Sequence, residues 1–194
     1  MANVLRTERL MLRRWRDDDR APFAELNADP EVMAHFPTPL TRAQSDELIE
    51  LIESRFTRSG FGLWALEVAA TGEFIGFTGL SLPRFTAHFT PTVEIGWRLS
   101  RTAWGHGYAT EAAQRALSFG FNDPALREIV AMTTTTNTRS QAVMRRLGMT
   151  HNPSDDFDHP LVPPGPLKRH VLWRLTAQQW TTTPHPGDLP HHQP

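Results

Sequence analysis

The apolar positions change period several times along the chain. Near the start Leu10 and Leu12 alternate with Met11 and Arg13, which predicts a strand within residues 4–15. Asp17, Asp18 and Asp19 then offer an N-cap and favourable charge to a helix ending near Asn27, and Asp29-Pro30 breaks it. A short turn carries Val32, Met33 and Phe36, and Pro37 and Pro39 mark a loop. Thr41 and Gln44 have capping-box spacing; behind them Leu48, Ile49, Ile52 and Phe56 fall on one helical stripe, closed by Gly60 and Gly62. Three strands are predicted next, over residues 63–68, 74–82 and 92–99, with a turn at Thr71-Gly72-Glu73 and a loop over 85–91. Ala109, Ala112, Ala113, Ala116, Leu117 and Phe121 then recur at helical spacing. Residues 127–134 are β-branched and read as a buried strand, residues 140–147 as a short helix closed by Gly148, and residues 169–175 as a last strand after a Pro-rich loop over 152–167.

The order β-α-α-β-β-β-α-β-α-β predicts one α/β domain over residues 1–180, built around a mixed sheet. Residues 181–194 hold several prolines and almost nothing apolar, so a disordered tail is expected there. The 194 residues suffice for one domain with a real core. A formal net charge of −1 provides no bulk field towards nucleic acid or anionic lipid, so neither is expected as a partner. No apolar run approaches the ~20 residues of a membrane span, and the opening residues lack a signal-peptide core, so a cytoplasmic protein is expected. The absence of cysteine rules out a disulfide framework, a thiolate zinc site and a cysteine nucleophile. The histidines show no metal-ligand spacing, and no metal is expected.

One stretch calls for chemistry. SRTAWGHGYATEA, residues 100–112, sets Gly105 and Gly107 just before a helix. A helix start presents unpaired N–H groups and about half a positive charge, and glycine lets backbone approach a phosphate closely. His106, Gly107, Tyr108, Ala109 and Thr110 are the candidate donors. The loop lacks the Gly-Lys-Ser/Thr ending of a Walker loop, and it comes too late in the chain for a dinucleotide fingerprint. A tight strand-to-helix turn would also explain the glycines taken alone.

Four stretches in order resemble the GNAT-type N-acetyltransferases, in the branch that acetylates ribosomal-protein N-termini: RTERLMLRRW, VEIGWRL (residues 93–99), WGHGYA (104–109) and NTRSQAVMRRLGM (137–149). The resemblance implies a mixed, mostly antiparallel sheet splayed at the cofactor site and flanked by helices. It implies acetyl-CoA as cofactor, with pyrophosphate on Trp104, Gly105, His106, Gly107, Tyr108, Ala109 and Thr110. Trp104 departs from the family's usual Gln or Arg. The pantetheine arm is expected against the backbone of Trp97, Arg98 and Leu99, with a side-chain hydrogen bond from Asn137. Many relatives carry a tyrosine acid where this chain has Met144. A homodimer, common among relatives, is an open state for this chain.

Acetyl transfer to an amine needs a neutral amine, and at pH 7 roughly 10% of an α-amine but well under ~0.1% of a lysine is neutral. Glu94, on the strand face opposite Val93, Ile95, Trp97 and Leu99, is the candidate base; pairing with Arg98 or Arg84 would equally explain it. By resemblance Ser140 is the candidate acid for the departing thiolate, with a water or Tyr108 as alternatives, although a helix cap would account for Ser140 too. His106 serves either as a phosphate contact or as exposed filler. The acceptor cleft is expected between residues 35–40 and 152–166, with His35, Phe36, Trp64, Phe85 and Phe89 on its walls. Asp155, Asp156 and Asp158 offer it negative charge. The expected activity is direct transfer from acetyl-CoA to a primary amine, on a protein N-terminus or a small molecule. A non-catalytic acyl-CoA sensor is the alternative.

Overall fold

The computed structural model describes residues 4–182. The first predicted strand is a hairpin, β1 (Leu5–Arg6) against β2 (Leu10–Arg13). Its turn is closed by the Thr7 hydroxyl, which accepts from the Leu10 N–H at 2.9 Å. The three aspartates form a short 3-10 turn before helix α1 (Arg20–Ala28), and they do not cap it. Asp19 is instead drawn inward by Arg13. Arg13 Nη1 and Nη2 donate to its two oxygens at 2.7 and 2.8 Å, and Arg13 Nε donates to Glu67 at 2.6 Å. Helix α2 (Arg42–Ser59) starts from the predicted capping box: Gln44 N–H donates to the Thr41 hydroxyl, and the Thr41 N–H donates to the Gln44 side chain. Gly60 ends it.

Strands β3 (Leu63–Val68), β4 (Phe74–Ser81) and β5 (Val93–Leu99) form a meander. Then follow α3 (Tyr108–Phe121), β6 (Glu128–Thr134), α4 (Thr138–Arg146), β7 (Thr150–His151), β8 (Phe157–Asp158), β9 (Arg169–Thr176) and α5 (Ala177–Thr182). The sheet order is β1-β2-β3-β4-β5-β6-β9-β7, with β8 added on β9. Every pairing is antiparallel except β5 with β6. Residues 181 and 182, expected in the tail, end α5; the remainder of the expected tail lies outside the described residues. Among the described residues no helix is long and apolar enough to cross a membrane.

The two sheet faces bury different elements. On one, α3 lies so close that a Cβ on Gly120 would stand 2.8 Å from Leu80 and 3.0 Å from Ile129. Trp64, fully buried, packs edge-on against Phe56 of α2 and Phe119 of α3. On the other face Phe23 of α1 meets Trp15 and Phe77 with ring centroids 4.7 and 6.0 Å apart. A smaller core joins Phe89, Val130, Phe157 and Leu172. Phe85 stacks on Phe157 there, and His159 and His170 lie against the same rings.

Two stability predictions follow from burial. Arg13 neutralises two carboxylates that are sealed with it, and removing one partner of such a group leaves uncompensated charge. Arg13→Met is expected to cost about 3–5 kcal/mol, read as a fall in the urea midpoint. In the small core, burial holds His159 down to about 4, helped by His170 and Lys168. Burial also lowers His170. The unfolded chain takes up these protons near pH 6.5 while the folded chain resists. The stability present above pH 6.5 is therefore expected to decline as pH falls towards 4, and His159→Phe to flatten that decline in a series of urea titrations.

Candidate functional site

Strand β5 meets β6 at only two rungs, Val93↔Ile129 and Glu94↔Val130. Beyond Glu94 the strands part, while β5 stays paired with β4 through Gly76↔Leu99. The Ser100 N–H donates to Ile75 of β4, so the alternation of a strand turns the Trp97 and Leu99 amides the other way, into the gap. A cleft of about 2460 Å³ opens here and runs to both sheet faces. Its wall holds Trp97, Arg98, Leu99 and every residue from Trp104 to Thr110, together with Glu94, Asn137 and Ser140.

The loop before α3 takes its shape from two glycines, Gly105 and Gly107, both at φ +82°. Glycine adopts that conformation at no steric cost, a reason for the pair that the sequence alone does not reveal. A Cβ on Gly105 would meet nothing within 4 Å, so the space above the loop is open. Gly107 is the N-cap of α3, and no side chain caps that helix. The Tyr108, Ala109 and Thr110 amides in its first turn have no protein acceptor within the helix. Trp104 anchors the loop: its ring N–H donates to the Leu99 carbonyl at 2.9 Å, and the Arg139 guanidinium covers its face at 4.3 Å. His106 stacks on Tyr108, with centroids 5.5 Å apart.

A contact between distant parts of the chain holds this loop from behind. Glu111 accepts from the Thr7 hydroxyl at 2.6 Å, from the Arg9 N–H at 2.9 Å and from Arg9 Nε at 2.7 Å. Arg9 Nη1 continues to the His106 carbonyl at 3.0 Å, and its guanidinium lies 4.9 Å from the Tyr108 ring centre. These donors hold the Glu111 carboxyl below its usual range against the opposing effect of burial. Thr7 and Arg9 belong to the opening motif RTERL, but nothing in the sequence ties that motif to a residue a hundred positions later.

Glu94 stands on the last rung before the strands part, facing away from α3. It has no ion-pair partner among the described residues, neither Arg98 nor Arg84. Burial pushes its carboxyl up to about 7, with Arg55 pulling weakly the other way. Asn137 lines the cleft and also has partners within the protein. It caps α4, its side-chain oxygen accepting from the Ser140 N–H at 3.1 Å, and its amide donates to the Thr133 hydroxyl at 2.8 Å. Each end keeps one further donor or acceptor, so these bonds leave room for the expected hydrogen bond to a pantetheine arm. Ser140 is thereby freed from capping, and its hydroxyl, on the cleft wall, has no protein partner among the described residues.

His35 and Phe36 line the cleft as expected. The His35 ring nitrogen lies 3.1 Å from the Thr134 hydroxyl, and burial lowers its pKa with help from Arg139. Three expected wall residues stand elsewhere. Trp64 is core, and Phe85 and Phe89 belong to the small core around Phe157. A loop aromatic needed a hydrophobic partner, and β8 and β9 supplied it. The three acids are also occupied: Asp155 holds Arg174 at 2.8 Å, Asp156 lies 2.7 Å from His151, and Asp158 is 3.4 Å from Arg169.

Residues 9–150 match the family model described as an acetyltransferase (GNAT) domain. The FsC-acetyl coenzyme A-N(2)-transacetylase of Aspergillus fumigatus is 33% identical over 91% of this chain and 77% of its own length. An Agrobacterium tumefaciens acetyltransferase structure is 27% identical with a TM-score of 0.73, over 90% of this chain and 95% of that one. A GNAT-family acetyltransferase structure from Bacillus anthracis is 23% identical with a TM-score of 0.74, over 90% and 99%. With its split sheet, bared helix start and matched domain, the chain belongs to the GNAT family of N-acetyltransferases, which take an acetyl group from acetyl-CoA and pass it to an amine.

Proposed function

We propose that Glu94 is the general base of this transferase, that the loop from Trp104 to Thr110 seats the pyrophosphate, and that Ser140 protonates the departing sulfur. The observation that carries the reading is the position of Glu94, a carboxyl without an ion pair, at the point where β5 leaves β6. The residues present suit acetyl-CoA. Uncapped α3 amides and open space over Gly105 suit a diphosphate. The outward Trp97 and Leu99 amides suit a chain of carbonyls and amides lying along β5. When bound, acetyl-CoA supplies the acetyl group activated as a thioester.

Each step of the reading falls to a named atom. The Glu94 carboxylate takes the proton from the attacking amine, directly or through water. The Trp97 or Leu99 N–H, fixed in place by the β4 pairing, would donate to the thioester carbonyl oxygen. The Ser140 hydroxyl, free of capping duty, would pass its proton to sulfur and recover one from solvent in the open cleft, as Glu94 releases to solvent the proton it took from the amine. Arg9 and Glu111 keep the loop in its binding shape without touching the reacting atoms.

Two outcomes are expected. The base must be ionised to work, so kcat/KM is expected to rise with pH through a limb near 7, the value at which Glu94 gives up its proton. Glu94→Gln is expected to remove that limb and lower kcat/KM at pH 8 by about 100-fold, within the usual range for a lost general base. Acetyl-CoA affinity, read by calorimetry, should change by less than about twofold; an unchanged rate would overturn the base. Gly107→Val puts a β-branched residue at φ +82° and a Cβ 3.5 Å from Arg9 Nη2. Strain of about 1–3 kcal/mol predicts acetyl-CoA binding weakened tenfold or more. Wild-type affinity in this variant would refute the loop's role.

A further inference from the structure

Among the described residues Arg98 is a cation without a counter-charge. Its one fixed hydrogen bond is from Nη1 to the Asn27 side-chain oxygen at 2.5 Å. Nε is sealed from solvent with no partner, and Nη2, also without one, opens on the cleft that Arg98 lines. Phe36 covers the guanidinium face at 4.1 Å and Phe77 lies at 5.4 Å. Glu31, an acid on the same cleft wall, is held by Arg101 at 2.6 Å. Burial drags the Arg98 pKa down to about 10, and no carboxylate opposes that. A buried charge with donors to spare is costly unless an anion completes it.

The position of Arg98 says where the anion would lie. Glu94, Gly96 and Arg98 share the β5 face turned away from α3, and their Cα atoms span about 13 Å along the strand. Gly96, between them, has an ordinary backbone, and a Cβ there would meet nothing within 4 Å. The floor between base and cation is therefore bare. An amine directed to Glu94 would have the rest of its molecule over Gly96, with Arg98 at the far end. Planar N–H pairs of arginine match the two oxygens of a carboxylate.

The geometry points to a carboxylate-bearing acceptor: Arg98, oriented by Asn27 and covered by Phe36, binds the carboxylate of an amino-acid-like amine whose nitrogen lies towards Glu94. This rests on the acceptor half of the proposed function and goes beyond it by fixing the substrate class and its specificity-determining residue. Asn27 is itself placed for this work. Fully buried, it donates to the Ser45 hydroxyl at 3.1 Å, which fixes its oxygen towards Arg98.

The test uses matched probes: α-, β- and γ-amino acids and their primary amides as acceptors, and the N-acetylated forms of each as ligands with coenzyme A present. The wild-type protein is expected to favour the acids at least tenfold in kcat/KM, and N-acetylated acids over N-acetylated amides by a similar factor in calorimetry. Arg98→Met changes the side chain and leaves the β5 backbone as it is, and it is expected to reduce both preferences to within about twofold. Arg98→Lys, which keeps the charge without the fork, should hold an intermediate preference and confirm that the site is folded. Equal use of acids and amides by the wild type, binding of neither, or a preference that survives Arg98→Met overturns the proposal. Loss of acetyl-CoA binding by the wild type would instead strike the pyrophosphate reading, and an acid preference that persists in a Glu94→Gln protein of unchanged rate would strike the base alone.

Discussion

The two-rung contact between β5 and β6 is the constraint on which this molecule turns. A parallel pair that continued past Glu94↔Val130 would satisfy its own amides and close the sheet. Because it stops there, the strand edge from Ile95 to Leu99 keeps donors and acceptors that only something outside the sheet can meet. Buried backbone polar groups without partners are rare and expensive, so an edge left open in the middle of a sheet marks a place for a ligand. The antiparallel pairing with β4 on the opposite side prevents β5 from moving to relieve the deficit. The same break gives Glu94 its setting, since its neighbours are sheet below and cleft ahead.

The second requirement is that the loop after β5 keep its amides aligned without a ligand to hold them. Two left-handed glycines make the loop possible but do not hold it rigid. Rigidity comes from outside: Trp104 is tied to Leu99, and Arg9 joins Glu111 to the His106 carbonyl. The Glu111 carboxylate in the first turn of α3 has a favourable place on the helix dipole. It spends its hydrogen bonds backward on the β1–β2 turn, leaving the forward-facing amides free. The N-terminal hairpin, remote in sequence, is thus part of the loop's support.

Features set by neighbouring residues were legible in the sequence. The Thr41–Gln44 box, the Gly72 turn, the apolar face of α3 and the GHG loop all depend on a few adjacent positions, and each lies where its pattern placed it. Legibility failed where the partner comes from far away. Asp17 to Asp19 look like a cap, yet Asp19 answers to Arg13 and Arg16, and Arg13 also binds Glu67 of β3. Phe85 and Phe89 look like exposed loop aromatics, but Phe157 arrives from a segment that reads as irregular. The resemblance implies a backbone contact between Arg98 and the pantetheine arm, but the Arg98 amide and carbonyl face β4; its side chain crosses to Asn27 of α1, a pairing across 71 positions that no spacing rule contains.

Glu94 and Arg98 are displaced in opposite directions by one cause. Burial raises the carboxyl and lowers the guanidinium, and each shift measures a preference for the neutral form. Yet they stand four residues apart on one strand face with a bare glycine between, too far to neutralise each other. A core that sought stability alone would pair them or replace them with apolar side chains. Keeping both, separated and unpaired among the described residues, leaves the cleft with a carboxyl at one end and a cation at the other. On the reading proposed above, such a site favours a ligand of the reverse polarity, amine at one end and anion at the other. It also loosens its hold once the amine has become an uncharged amide, because only the Arg98 end then still meets a charge. On that reading, the same desolvation that makes these two side chains costly in the free protein is a source of both selectivity and product release.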